Sequence, residues 1–210
     1  MLAALLALAL AAPLVPTSVR PDSQALFLEI DPAQPRVVGS TRVCFTLTDS
    51  VRTLALESHE LLVSRVSLVG TRGAVSTAWA AGAAALSVDA IGGLPPGPYV
   101  LEVGFEAPWR TQGGWRRAGR SAARLDTLLV PAAFPCAGDS VATQWRVHVQ
   151  TPVRLTVQSP LARLRRERDR EVEVSEWVSA QPLPASGLRL RTSARSVSGR
   201  PSSRAARPTR

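Results

Sequence analysis

A hydrophobic period of two residues constrains the fold more than any other feature of this sequence. Leu26, Leu28 and Ile30 alternate with other residues, which is typical of strands with one buried face. In residues 99–105, large apolar or aromatic side chains occupy one face. The Pro- and Gly-rich residues 94–98 form a predicted rigid turn before them. Short strands between such turns predict an all-β fold, an antiparallel β-sandwich.

The same alternation predicts further strands along the chain. They cover about residues 43–47, 51–56, 62–69, 86–91, 142–149, 153–157 and 172–177. Residues 74–85 are rich in Ala and Gly, so we expect a loop or a short strand there. Residues 108–124 contain two tryptophans and five arginines without periodicity, and they are interpreted as a loop. Residues 163–173 mix Arg with Glu and Asp, and we expect a charged, solvated hairpin end.

The positive charge is concentrated at the carboxyl end of the chain. The 210 residues can bury a substantial core, and all 25 cationic side chains are arginines. Residues 191–210 carry six of them and no acid, which leaves 19 arginines against 16 carboxylates in residues 1–190. A basic, Ser-rich segment without apolar periodicity predicts a disordered tail over residues 191–210. The ordered sandwich domain is predicted to span residues 16–190.

The arginine-rich tail does not predict a specific nucleic-acid partner. Contacts between its arginines and phosphates would be nonspecific and sensitive to salt. The sequence contains no recognisable nucleic-acid-binding module, and aromatic residues do not interleave with the arginines of the tail. We therefore expect no sequence-specific binding to DNA or RNA.

The first twelve residues form an apolar run of the length of a signal-peptide core. Residues 1–12 are too short for a membrane span of about 20 residues, and residues 9–11 supply a small-x-small cleavage site. No arginine precedes the run, so two alternatives stay open: a start codon assigned too far downstream, or a buried amino-terminal strand. A working leader predicts export to the periplasm or the extracellular space; otherwise the protein is expected to be cytoplasmic.

The two cysteines allow two interpretations. If the protein is exported, Cys44 and Cys136 could form one disulfide that closes a loop of about 90 residues and contributes roughly 4 to 5 kcal/mol. The alternative is a pair of buried free thiols on separate strands. Sequence spacing alone favours the free thiols only slightly.

An incomplete zinc-protease motif begins at His59. In the His-Glu-x-x-His signature, both imidazoles lie one helical turn apart and bind a single Zn²⁺, and the Glu activates water. His59 and Glu60 fit this pattern, but Val63 occupies the second ligand position. The other histidine, His148, lies 89 residues further on and faces outward on a predicted strand. We therefore predict no metal site, no cofactor and no catalytic residue on this chain.

Several short motifs follow one another along the chain. They are Pro16-Thr17-Ser18-Val19-Arg20-Pro21, Leu56-Glu57-Ser58-His59-Glu60-Leu61, residues 94–101, Gly119-Arg120-Ser121, Phe134-Pro135-Cys136, Trp145, Thr151-Pro152 and Leu183-Pro184. In this order they resemble the amino-terminal β-sandwich domain of the aminopeptidase N family of zinc metallopeptidases, which includes membrane alanyl aminopeptidase. The most specific match is Phe134-Pro135-Cys136, a family motif to which we assign a structural role. On this alignment, His59 lies at a strand end rather than on a helix.

The chain also departs from the family pattern. The family continues Phe-Pro-Cys with Phe-Asp-Glu-Pro, whereas residues 137–140 keep only the acid Asp139. The family's Gln-x-Glu-Pro segment, whose Gln helps to hold the substrate's amino group, has no counterpart in residues 125–133. The family's Gly-Ala-Met-Glu-Asn segment, zinc-binding helix and catalytic Tyr belong to a following domain.

The resemblance implies an isolated or truncated amino-terminal domain that is not catalytic on its own. Complete family members carry zinc, and the sandwich in them packs on the zinc domain and closes one side of the active-site cleft. The expected partners are therefore a zinc peptidase domain or a peptide ligand. One alternative is an exported β-sandwich binding module that uses the Trp and Arg loop 109–124, with Trp109 and Trp115 as anchors. Another is an enzyme of unrecognised type.

Overall fold

The computed structural model describes residues 18–195 and shows an all-β architecture. Fifteen strands lie within these residues. They are β1 (Val19–Glu29), β2 (Arg36–Leu47), β3 (Val51–Glu57), β4 (Leu62–Gly70), β5 (Gly73–Val75), β6 (Thr77–Ala81), β7 (Ala85–Leu94), β8 (Gly97–Pro108), β9 (Gly114–Ala118), β10 (Ala122–Asp126), β11 (Gln144–Pro152), β12 (Leu155–Gln158), β13 (Ala162–Arg168), β14 (Val172–Val178) and β15 (Arg191–Ala194). Two short 3₁₀ helices cover Thr127–Ala132 and Ala185–Gly187.

The strands form three sheets. The large sheet has the order β13-β14-β11-β1-β2-β8-β4-β5; the four-stranded sheet has the order β12-β15-β10-β9; the three-stranded sheet has the order β3-β7-β6. Neighbouring strands are antiparallel, except that β1 and β11 run parallel. The predicted antiparallel sandwich is therefore confirmed, with one parallel pair inside its large sheet.

Two hydrophobic cores lie on the same face of the large sheet. Leu26, Val147 and Phe105 of the large sheet pack in one core with Leu125 of the four-stranded sheet. The other core joins Val43, Phe45 and Leu101 of the large sheet to Leu56 and Val88 of the three-stranded sheet. Burying each such side chain contributes roughly 1.5–3 kcal/mol. Among residues 18–195, the two small sheets therefore cover one face of the large sheet, and no layer covers its other face, here called the open face.

The alternation that predicted most strands is present in the structure. In β1, residues 24, 26 and 28 are buried, and their neighbours are more exposed. Strand β8 buries residues 99, 101, 103 and 105, as predicted. The region 74–85, expected to be a loop or a short strand, contains most of β5 and all of β6.

Two sequence-based interpretations are wrong, and a third is right only in part. The predicted loop 108–124 contains β9 and most of β10, which form a hairpin. The predicted charged hairpin end 163–173 is mostly exposed and includes the turn between β13 and β14, but most of it is β13, an edge strand paired with β14. Strand β15 lies at the start of the predicted tail, because it hydrogen-bonds between β10 and β12.

The hairpin of β9 and β10 begins at two glycines that the sequence places side by side. Gly113 and Gly114 have φ angles of 64° and 66°, a left-handed conformation that glycine adopts without strain. A Cβ atom on Gly114 would lie 2.8 Å from the carbonyl oxygen of Ala132. The glycines thus let β9 approach the first 3₁₀ helix closely.

The ends of the chain lie outside the described residues. The predicted signal peptide at residues 1–12 and the tail residues 196–210 both fall there, so these predictions stay predictions. Among residues 18–195, no helix is both long enough and apolar enough to cross a membrane.

Candidate functional site

Residues 127–143, here called the linking segment, contain the family motif Phe134-Pro135-Cys136. The segment begins with the 3₁₀ helix Thr127–Ala132, whose start is capped by Asp126: its carboxylate accepts a hydrogen bond from the backbone N–H of Leu128 at 3.2 Å. Residues 130–138 are all buried. The middle of the linking segment therefore lies inside the molecule although most of the segment is neither strand nor helix.

Phe134 anchors the linking segment in the core shared by the large and the four-stranded sheets. Its ring meets Trp145 edge to face, with the ring centroids 5.8 Å apart. The indole N–H of Trp115 donates a hydrogen bond to the carbonyl oxygen of Ala133 at 3.1 Å, and that of Trp145 donates to Leu183 at 2.9 Å. These contacts satisfy polar groups that would otherwise be buried without partners.

Cys136 connects the linking segment to the three-stranded sheet. Its backbone forms a two-way bridge with Glu57 at the end of β3, with N···O distances of 2.9 and 3.1 Å. The carboxylate of Glu57 accepts a further hydrogen bond from the backbone N–H of Asp139 at 2.8 Å. The motif cysteine thus holds the linking segment by its backbone, and its thiol faces the core.

Gln24 of β1 connects the linking segment to the large sheet. Its side-chain amide donates to the hydroxyl of Thr143 at 3.2 Å and accepts from the backbone N–H of Ala137 at 3.4 Å. Gln24 is only 1% exposed. In the sequence, Gln24 is a polar residue at an inward-facing position of an apolar alternation; this signal could have identified it, but Gln24 was not among the predicted site residues. Glu57 carries no such signal.

The thiol of the linking segment is poorly suited to act as a nucleophile. Burial raises the pKa of the Cys136 thiol far above its usual range, with a further contribution from the charge of Glu57. The thiol therefore stays protonated and is a weak nucleophile. Burial also raises the pKa of Asp139, while hydrogen bonds from Ser186 oppose the shift. One carboxylate oxygen of Asp139, Oδ1, is buried without a hydrogen-bond partner in residues 18–195.

His59 follows the end of β3, as the alignment of motifs predicted. Its backbone N–H donates to the carbonyl oxygen of Pro131 at 2.8 Å. Glu60 has a φ of 55°, in the left-handed region, and its carboxylate pairs with Arg110 at 2.6 Å. The near-motif His59-Glu60 therefore lies in a bend rather than on a helix, so its spacing has no metal-binding meaning.

His148 lies on the open face of the large sheet, opposite to the small sheets. Its ring stacks on Phe27 with a centroid distance of 4.6 Å, and its Nε2 lies 3.7 Å from the carboxylate of Glu176. Burial lowers the pKa of His148, although the charge of Glu176 opposes the shift and Arg146 adds to it. The outward direction predicted for His148 is thus observed. The two imidazoles lie on opposite sides of the large sheet.

Residues 18–195 do not offer a site that fits zinc. They contain no group of three or more His, Cys, Asp or Glu side chains placed to hold a metal ion. Cys44 lies half-buried on β2, Cys136 is buried in the linking segment, and both are free thiols. Of the two interpretations of the cysteines, the structure therefore shows the free thiols.

The tryptophans of the predicted binding loop do not form an exposed pair. Trp115 is fully buried. Trp109 is partly buried, and its indole N–H donates to the carbonyl oxygen of Gln34 at 2.8 Å. The guanidinium of Arg117 lies over the ring of Trp109 at 6.0 Å. The interpretation of Trp115 as a binding anchor is wrong, because its side chain belongs to the core.

The fold is shared with solved M1 zinc metallopeptidases. The crystal structure of the enzyme from Deinococcus radiodurans aligns with a TM-score of 0.71 and 15% identity over 85% of this chain and 43% of that chain. A mutant of that enzyme bound to a Tyr-Ser-Ala substrate aligns with the same TM-score and identity over 84% and 43%. A two-domain M1 zinc metallopeptidase mutant bound to L-arginine gives a TM-score of 0.71 and 15% identity over 85% and 43%.

The comparisons of sequence, unlike the comparison of structures, found no similar protein. No protein-family model matches the chain, and no curated protein matches it. The chain spans less than half the length of the solved peptidases that it resembles. The chain therefore has the β-rich fold of one part of the M1 zinc metallopeptidases, as its ordered motifs predicted.

Proposed function

We propose that this chain is the non-catalytic amino-terminal sandwich domain of an aminopeptidase N-like zinc metallopeptidase. One observation carries the proposal: the fold match takes in 84–85% of this chain but 43% of the solved M1 peptidases. The ordered motifs around Phe134-Pro135-Cys136 support the same assignment. Zinc and the catalytic residues are then supplied by another domain.

The role proposed for the chain is that of a scaffold at the side of a substrate cleft. The linking segment supports this role because it ties all three sheets together through Gln24, Glu57 and Trp115. Hydrogen bonds to the backbone and to the Gln24 amide hold the segment at several points, which favours a rigid structure. A rigid sandwich can position a neighbouring peptidase domain without contributing to the chemistry.

The test begins with the coding sequence. The genomic DNA is read for several hundred codons past Arg210, and any His-Glu-x-x-His polypeptide found there is expressed with this chain. We expect such a polypeptide, its co-purification with this chain, and aminoacyl-anilide hydrolysis that is sensitive to chelators. The polypeptide expressed alone is the control, and it should be less stable or less active than the pair.

Two outcomes would contradict the proposal. One is a downstream gene that encodes no peptidase domain. The other is a peptidase polypeptide that neither binds this chain nor loses stability or activity when the chain is absent.

A further inference from the structure

Three arginines form a row across the outer face of the four-stranded sheet. Arg124 of β10 pairs in register with Arg116 of β9 and with Arg191 of β15. Their neighbours Trp115 and Thr192 are buried on the inner face, so the three arginines project outward. Adjacent strands lie about 4.8 Å apart, which places the three positive charges within a span of about 10 Å.

The negative charge beside this row is small. Asp126 pairs with Arg116 at 3.2 Å and also accepts a hydrogen bond from the backbone of Leu128. Within the part of the chain that the structure describes, Arg124 and Arg191 have no carboxylate within ion-pair distance. Like charges directly opposite each other on neighbouring strands destabilise a sheet. An anion bound over the row would remove this repulsion.

The row lines a groove with room for a ligand. The groove has a volume of about 470 Å³, and the small pair Ala118 and Ala122 borders the arginines on the same face. A second groove of about 320 Å³ shares Arg124 and Arg191 and adds Arg189. The positive surface therefore continues from one groove into the other.

The lining of both grooves favours linked phosphate groups. Guanidinium groups bind phosphate oxygens through paired hydrogen bonds. The described residues that line the two grooves include no aromatic side chain, so a nucleobase has no surface on which to stack. Two joined grooves with several guanidinium groups suit a row of anions better than a single anion.

We propose that the outer face of the four-stranded sheet binds linear phosphate chains through Arg116, Arg124 and Arg191. The ligand chemistry is a run of linked phosphates, such as inorganic triphosphate or the triphosphate of a nucleotide. The site lies outside the linking segment and is independent of the peptidase-domain role proposed above.

The test is calorimetric titration of the full chain with inorganic triphosphate at low salt. Arg124→Gln and Arg191→Gln should each weaken binding by about tenfold, the effect of losing a charge-assisted hydrogen bond. The matched controls are Arg163→Gln and Arg168→Gln on the exposed strand β13, which lose the same charge elsewhere and should change affinity by less than about twofold. Equal weakening in all four variants, or no binding by the wild type, overturns the proposal.

Two further probes distinguish the sources of phosphate. ATP should bind within about threefold of triphosphate, because the site recognises the chain and not the base. Orthophosphate should bind more weakly than either. A strong preference for ATP over triphosphate, or orthophosphate binding as tight as triphosphate binding, contradicts recognition of a phosphate chain.

Thermal unfolding separates lost binding from lost folding. Arg124 lies between two like charges, so Arg124→Gln should keep or raise the Tm in phosphate-free buffer. The rise in Tm that triphosphate gives the wild type should be smaller in this variant at the same ligand concentration, because stabilisation by binding to the folded state falls as the Kd rises. A lower Tm together with an undiminished response to triphosphate would contradict the assignment.

Discussion

Trp109 and Trp115 lie close together in the sequence but have different environments. Trp115 is fully buried in the core between the large and four-stranded sheets, and its N–H is bonded to Ala133. Trp109 is partly buried at the edge of that core. The sequence of residues 108–124 does not predict this difference, because glycines and arginines are the sequence neighbours of both tryptophans. The burial of Trp115 therefore indicates that its side chain stabilises the fold and does not contact a partner.

Trp115→Ala should lower the free energy of unfolding by about 3–5 kcal/mol, since it removes a buried aromatic side chain and leaves the carbonyl of Ala133 without a donor. Trp109→Ala should cost clearly less, because the ring is partly exposed. Urea denaturation followed by circular dichroism measures both changes. Equal losses for the two variants would show that Trp115 does not have the core role described above.

His148 should titrate below its ordinary pKa. Burial lowers the pKa of its imidazole in the folded state, so at a pH between this value and 6.5 the unfolded chain binds more protons than the folded chain. Stability should therefore rise with pH through that window and fall as the solution becomes more acidic. NMR titration of the ring protons, with His148→Gln to assign them, measures the pKa directly. A value above 6.5 would contradict the burial of the ring against Phe27.

At the scale of elements, alternation predicted the strands that have one buried face. The second halves of β1 and β2 and most of β8 bury every second residue in the core, and the sequence predicted these parts but not the first halves of β1 and β2. Strand β13 is exposed at all seven residues, so no apolar pattern marks it. The short strand β15 shows little pattern and depends on its distant partners β10 and β12.

The candidate site was predicted only in part. The motif Phe134-Pro135-Cys136 was found through the resemblance, but its partners Gln24 and Glu57 come from strands far away in sequence. The parallel pairing of β1 with β11 brings such distant segments together. Local patterns specify which residues are buried, whereas these contacts depend on the register between strands, and a single sequence does not state that register.

An ion-pair cluster connects the β13–β14 hairpin to the end of β15. Glu173 is 1% exposed and accepts two hydrogen bonds of 2.9 Å from Arg166. It also pairs with Arg195, which follows β15. Burial favours the neutral form of Glu173, but the two arginines outweigh this effect and lower its pKa. The cluster therefore fastens an edge of the large sheet to the four-stranded sheet.

Glu173→Gln should lower the free energy of unfolding by about 1.5–3 kcal/mol at pH 7, because it removes the buried carboxylate that accepts charge-assisted hydrogen bonds from two partly exposed arginines. Glu171→Gln, an exposed change in the same hairpin, should cost less than about 0.5 kcal/mol. The folded-state pKa of Glu173 is lowered, so its contribution is present above pH 4.5 and is lost as the pH falls through the folded value. Urea denaturation at several pH values tests this.

A double-mutant cycle isolates the contact that links the sheets. Combining Glu173→Gln with Arg195→Gln should cost less than the sum of the single changes, because the two groups interact. Additive losses would show that Glu173 and Arg195 do not stabilise the junction through each other.

At the scale of the molecule, two small sheets cover one face of an eight-stranded sheet, and a buried segment joins all three. The two histidines lie on opposite sides of the large sheet. The fold matches part of the M1 zinc metallopeptidases, and residues 18–195 hold no group of side chains that fits their metal. The function proposed above therefore requires that a different domain supply the zinc chemistry.

The zinc content of the purified chain tests this account most directly. The protein is incubated with Zn²⁺, desalted and measured by inductively coupled plasma mass spectrometry, with hydrolysis of aminoacyl-anilides assayed in parallel. The account predicts much less than one tightly bound zinc per chain and no chelator-sensitive hydrolysis. One zinc per chain that is lost in His59→Ala or His148→Ala, together with hydrolysis that a chelator abolishes, would contradict it.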